Sequence, residues 1–169
     1  MNHPLCIRPV IEADAAAIAE IYAYHVLNGT ASFDTEPPDD AFWRDKIAHI
    51  LAKGWPFLVV EDEGEVVGYA YASQFRDRPA YAHTCEDSIY ITHDRRGGGI
   101  GKVLLEALID AAREAGFEQM IGVIGGGEPA SVAVHKRCGF IEAGRMREVG
   151  CKFGRRLDTV YVQLDLRTD

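Results

Sequence analysis

Paired cysteines, basic charge and long apolar runs are scarce in this 169-residue sequence, and each shortage removes a class of function. The four cysteines, Cys6, Cys85, Cys138 and Cys151, are scattered with no CxxC pair, which excludes a disulfide framework or a structural zinc site. His25, His49, His83 and His93 show no ligand spacing and read as surface or packing residues, so no metal is expected. Lysine and arginine total 18 against 26 acidic residues, a net charge of −8, which argues against a nucleic-acid partner. No apolar stretch approaches a membrane span, and Met1-Asn2-His3-Pro4 runs directly into a strand-like Leu5-Cys6-Ile7 with no signal-peptide pattern. The expectation is a cytoplasmic chain that meets no membrane. No linker, repeat or low-complexity segment divides it. With 47% hydrophobic and 26% charged residues, it suits one domain over residues 1–169.

Glycine is not scarce, and its placement is informative. Residues 86–92, Glu-Asp-Ser-Ile-Tyr-Ile-Thr, read as a strand because Ile89, Tyr90, Ile91 and Thr92 are β-branched or aromatic in succession. Ile100, Val103, Leu104, Ala107, Leu108, Ala111 and Ala112 then recur at helical spacing. Between them stand Arg95, Arg96, Gly97, Gly98, Gly99 and Gly101. Glycine permits a sharp turn and a close ligand approach, and the free N–H groups of a new helix favour an anion. The P-loop pattern fails, because Arg96 stands where its first glycine belongs and Val103 where it needs Ser or Thr. The dinucleotide pattern fails at Leu104. What remains is Arg96-x-x-Gly99-x-Gly101, a phosphate or pyrophosphate loop of another kind.

Along the chain the periodicities predict a strand over 5–10, a helix after Asp14 that Asn28-Gly29 stops, and a loop over 30–38. A second helix follows from Asp39 or Asp40, then a hairpin of strands over 57–61 and 66–72. A polar loop over 76–81 leads to the glycine-flanked strand. After the helix from Ile100 come a buried strand over 119–124, a short helix over 129–138, and two last strands over 140–149 and 157–166. The order β-α-α-β-β-β-α-β-α-β-β defines an α/β protein.

That order and the Arg96–Gly101 loop resemble the GNAT N-acetyltransferase superfamily. Further motifs narrow the likeness: Phe33, Glu36-Pro37-Pro38, Arg78-x-x-Tyr81, Glu86-x-Ser88-Ile89-Tyr90-Ile91, Ser131-x-x-x-His135-x-x-x-Gly139-Phe140 and Gly150-x-Lys152-x-Gly154. They are similar to the phosphinothricin and methionine sulfoximine N-acetyltransferases from about Ile7 to Leu166. The resemblance implies a mixed, mostly antiparallel sheet flanked by helices, acetyl-CoA as co-substrate, a homodimer, and a small amino-acid-like amine as acceptor. It implies cofactor contacts from Tyr90, Ile91, Arg95, Arg96, Gly97, Gly98, Gly99, Ile100, Gly101 and Lys102. One position departs: Glu128 stands where the family often has a CoA-contacting Asn.

Acetyl transfer to an amine needs a neutral nucleophile, a polarised thioester and a proton for the departing thiolate, so a base near the acceptor is useful. Glu86 is the candidate base. It lies where the polar loop meets the strand, on one face with Ser88 and Tyr90 by period 2, and on the family's glutamate position. His135 is the candidate acid, or else a polar anchor. Arg76, Arg78 and Tyr81 are candidates for the acceptor's carboxylate, because a guanidinium binds such a group bidentately. Phe33 and Lys152 fall on family positions, and the resemblance implies that they close the pocket. Direct attack in a ternary complex is expected, since no cysteine occupies an evident nucleophile position. The alternatives are a protein or peptide N-acetyltransferase, a non-catalytic acyl-CoA sensor, which would need neither Glu86 nor His135, and, more weakly, a nucleotide-binding module.

Overall fold

A computed structural model describes residues 4–167. Seven strands form a single sheet: β1 (Cys6–Pro9), β2 (Phe57–Asp62), β3 (Glu65–Gln74), β4 (Thr84–Ile91), β5 (Gln119–Gly125), β6 (Ile141–Lys152) and β7 (Arg155–Asp165). Four helices flank it: α1 (Ala15–Asn28), α2 (Asp40–Ala52), α3 (Ile100–Glu114) and α4 (Pro129–Arg137). The strand order is β1-β2-β3-β4-β5-β7-β6. Among the described residues only the β4–β5 pair is parallel. This is the mixed, mostly antiparallel sheet that the family resemblance implies.

Alternation along the central strands divides two cores. On one face Val10, Ile18, Trp43, Ile47, Phe57 and Tyr69 pack between the sheet and helices α1 and α2. On the other, α3 lays Leu104, Leu105 and Leu108 against Ala70, Cys85, Met120 and Val162. Each of those three leucines is fully buried, contributing about 1.5–3 kcal/mol by transfer from water. The buried stripe of α3 is Ile100, Leu104, Leu105, Leu108, Ile109 and Ala112. It is rotated from the predicted one, and Val103 is 44% exposed. The choice between Val103 and Leu105 was made by the sheet against which the helix packs.

Turn chemistry sets the hairpins. Glu63 and Gly64 both take positive φ between β2 and β3, and Phe153 and Gly154 do so between β6 and β7, as two-residue turns matched to strand twist require. β6 runs three residues beyond its expected end at Val149, because a register shift between Met146 and Gly150 absorbs the irregular stretch. There Glu148 adopts φ 54°, with its N–H donating to Asp158 at 2.9 Å. Asp39 starts α2 by accepting from the Phe42 N–H at 2.9 Å.

The feature that positions the site is where β4 and β5 part. They pair only from Thr84–Gln119 to Asp87–Gly122. β4 stays paired with β3 as far as Ile91, and β5 with β7 as far as Gly125. The two strands therefore diverge after Asp87. Among the described residues, the peptide groups of residues 88–90 that face β5 have no strand opposite them.

Candidate active site

Where the strands diverge, a cavity of about 120 Å³ opens through the sheet, lined by Glu86, Asp87, Ser88, Ile89 and Tyr90 of β4 and by Val123 and Ile124 of β5. Ala31 approaches from one face, Ser131 and His135 of α4 from the other. Period 2 explains the double access: Glu86, Ser88 and Tyr90 point to the α1–α2 face, Asp87 and Ile89 to the α4 face.

Glu86 is half-buried, and its carboxylate lies 3.6 Å from the Arg76 guanidinium. Burial raises its pKa above the ordinary carboxylate value, with Arg76 pulling it back and Asp87 adding to the rise. Arg76 also lies over the Phe75 ring at 4.0 Å and donates to the Phe75 carbonyl, which fixes its stem. Arg78 and Tyr81 stand exposed on the turn leading into β4 and line none of this cavity. Tyr81 packs edge-on against Phe75 at 5.7 Å.

His135 is buried in the opposite wall with both ring nitrogens engaged. Nδ1 donates to the Ser131 carbonyl at 2.7 Å, and Nε2 lies 3.0 and 3.2 Å from the two Asp87 oxygens. Burial pulls the imidazole's pKa down, but the charge and hydrogen bond of Asp87, with the Ser131 carbonyl, carry it above its ordinary value. Asp87 was missed in the sequence. Its partner is 48 residues away, and period 2 sets it on the face opposite Glu86. Gly122 makes room for the ring: a Cβ there would lie 3.0 Å from His135 and 2.7 Å from Val162.

Beyond Ile91 the chain makes a short turn, His93–Arg95, then the glycine loop. Gly97 and Gly99 take φ of 83° and 81°, and Gly99 caps α3 in the left-handed conformation. Added Cβ atoms at both would meet nothing within 4 Å, so the loop presents bare backbone to solvent at the start of a 15-residue helix. That is an anion cradle by geometry. The side chains around it divide. Arg95 is drawn away into an ion pair with Asp62 at 2.6 Å, and Lys102 lies 3.3 Å from Glu106. Arg96 donates to the Nδ1 of His25 at 3.0 Å. The Ile91 carbonyl is likewise taken, by Nε2 of His25 at 2.7 Å. Glu128 accepts from the Ser131 N–H at 2.8 Å and so caps α4.

Phe33 and Lys152 act on the loop over 30–34 rather than on the cavity wall. Lys152, 5% exposed, donates to the Ser32 carbonyl at 2.8 Å. The Phe33 ring lies across Gly150 and Gly125, and a Cβ on Gly150 would overlap it. Tyr22 completes the tie, its hydroxyl bonded to Ser32 and Asp34. The spacing Gly150-x-Lys152 thus has a physical reason: one residue admits the ring, the other holds the loop beneath it.

A strand pair splayed around a through-sheet cavity, with a bare helix start beside it, defines an acyltransferase of the GNAT type. The sequence profile of the Acetyltransferase (GNAT) family matches residues 18–140, and the chain belongs to that family. It is 46% identical over 161 residues to a phosphinothricin N-acetyltransferase of Alcaligenes faecalis, covering 95% of this chain and 82% of that one. It is 42% identical over 164 residues to an L-methionine sulfoximine/L-methionine sulfone acetyltransferase of Pseudomonas aeruginosa, covering 95% and 94%. Its structure is similar to a GNAT superfamily phosphinothricin acetyltransferase from Sinorhizobium meliloti in complex with acetyl-CoA, with TM-score 0.93 and 45% identity over 95% of this chain and 88% of that one.

Proposed function

We propose that the protein is a single-domain, acetyl-CoA-dependent N-acetyltransferase for the α-amine of small amino-acid-like acceptors of the phosphinothricin and methionine sulfoximine or sulfone type. The observation that carries this is the half-buried Glu86 in the wall of the cavity, beside a cation able to hold an anionic acceptor. The residues fit acetyl-CoA: the bare N–H groups of Gly97–Gly101 and the Arg96 charge suit its pyrophosphate, and the open edge of residues 88–90 suits its amide-bearing arm. When bound, acetyl-CoA supplies an acetyl thioester whose C–S bond breaks as a C–N bond forms.

Glu86 takes the first proton from the acceptor ammonium, and its raised pKa brings it closer to the working pH. The second proton leaves the nitrogen with the departing sulfur, so the charges balance. The backbone N–H of Ile89, which points away from β3 because its neighbours Ser88 and Tyr90 occupy the β3–β4 ladder, faces the carbonyl oxygen as it gains charge. Arg76 holds the acceptor's carboxylate, with Arg78 and Tyr81 on the approach. His135, with both nitrogens engaged, serves as the anchor that joins α4 to β4 through Asp87. Arg95 and Lys102, already paired, contribute less to the cofactor than Arg96 does.

The protein works as a homodimer in the cytoplasm. The edge strand β6 and its turn expose Met146, Val149 and Phe153, a surface suited to a second copy.

The test is release of CoA thiol with phosphinothricin, methionine sulfoximine, methionine sulfone, common amino acids, a polyamine and a lysine peptide as acceptors. Preferential turnover of the first three is expected. Turnover of the peptide alone would discard the acceptor assignment, and acetyl-CoA binding without turnover would favour a sensor. Light scattering at working concentration reads the dimer.

A further inference from the structure

The last turn of α1 carries two rings that the proposed chemistry does not use. Tyr24 stacks on His93 at 3.9 Å, and His25, 6% exposed, reaches both Ile91 and Arg96. The partners of His25 fix its state. The Ile91 carbonyl only accepts, so Nε2 carries the proton; Arg96 only donates, so Nδ1 carries the lone pair. One neutral tautomer satisfies both bonds. An imidazolium would have no acceptor for Arg96 and would set a second cation against it.

We propose that His25 is a positioning residue for acetyl-CoA: neutral, it fixes Arg96 and the end of β4 so that the glycine loop is preset for the pyrophosphate, and protonated, it releases Arg96 and weakens cofactor binding at acid pH. The proposal rests on reading Arg96–Gly101 as the pyrophosphate loop. The groups facing the ring are Arg96 and His93 from the loop side, Glu128 at the start of α4, Tyr90 on β4 and Tyr24 on its own helix. Burial pushes its pKa below the ordinary value, the Ile91 bond opposes this, and the Arg96 and His93 charges push it down further. The switch therefore lies on the acid side of neutrality.

The test is titration calorimetry of acetyl-CoA from pH 5 to 8 on wild type, His25→Phe, His25→Gln, Arg96→Gln and the His25→Phe/Arg96→Gln double variant, with circular dichroism checking the fold. Phenylalanine keeps a ring against Tyr90 but loses both hydrogen bonds. It is expected to weaken binding about tenfold at pH 8 while leaving kcat at saturating acetyl-CoA within about twofold. Glutamine offers a donor and an acceptor without titrating, and is expected to retain affinity and lack the acid loss. Wild type should approach the Phe variant as the pH falls. The titration of the CoA phosphates is common to all five proteins and cancels in their ratios. In the Arg96→Gln background, His25→Phe should add less than about twofold. Equal affinity of wild type and His25→Phe at every pH, or fully multiplicative penalties in the double variant, would overturn the clasp. If Arg96→Gln itself binds as wild type does, the loop assignment fails, and the clasp with it.

Discussion

Replacing Asp87 with Asn isolates the charge that holds His135. The two side chains are 3% and 2% exposed, so the pair is screened little by water. Removing one partner of such a pair costs about 3–5 kcal/mol when the other stays charged. Here the loss is smaller. Asparagine keeps the shape and one oxygen that can accept from Nε2, and the imidazole can release its proton. A destabilisation of about 2–3 kcal/mol at pH 6 follows from those two reliefs, lowering Tm by roughly 4–12 °C for a chain of this size. The pH dependence carries the sharper test. The folded-state pKa of His135 is raised, so the contribution of the pair is complete below the unfolded value of 6.5 and fades as pH rises through the folded one. Urea melts of wild type and Asp87→Asn should therefore differ most near pH 6 and least near pH 9. The His135 ring, followed by NMR, should titrate at lower pH in the variant. A stability gap independent of pH, or an unmoved titration, would refute the assignment of an imidazolium held by Asp87.

Glu86→Gln should lower kcat by about 10²- to 10⁴-fold, the range for a lost general base, with acetyl-CoA affinity unchanged by calorimetry. The same variant should remove the acid limb of the wild-type rate profile, because the raised Glu86 pKa puts loss of the base on that side. Gly150→Ala should cost about 1–3 kcal/mol in urea melts, because its methyl overlaps the Phe33 ring; combining it with Phe33→Ala should recover part of that loss. Gly99→Val should weaken acetyl-CoA binding more than tenfold by calorimetry, since φ of 81° strains any branched side chain and, on the proposed reading of the loop, the added carbons stand where the pyrophosphate would approach. Arg95→Gln should weaken it less than about threefold, because that guanidinium already pairs with Asp62.

Strand and helix order was legible because it depends on local period: alternation in β4 and 3.6-residue recurrence in α3. The glycine turn between β4 and α3 was legible too, since glycines between a strand and a helix need little tertiary information to interpret. Within that loop the roles were not. Arg95 and Arg96 are adjacent and chemically equal, and only Asp62 at the end of β2 and His25 at the end of α1 distinguish them. Glu86 could be singled out by its place at a strand start, but the Arg76 contact and the burial that raise its pKa came with the folded loop. Phe33 and Lys152 were visible only as matches to a family, and their work, closing the loop over 30–34 against Gly150 and Ser32, spans more than a hundred residues of chain.

The element order, the bare glycine turn before α3 and the residue types available for acid–base work follow from propensity, periodicity and side-chain chemistry, all of them local. Only the folded chain shows that β4 and β5 part after Asp87, that Asp87 hydrogen-bonds His135 beside the resulting cavity, and that His25 holds Arg96. Those depend on where strands stop pairing and which distant side chains then meet, and no local periodicity encodes a contact between residues 48 or 71 positions apart.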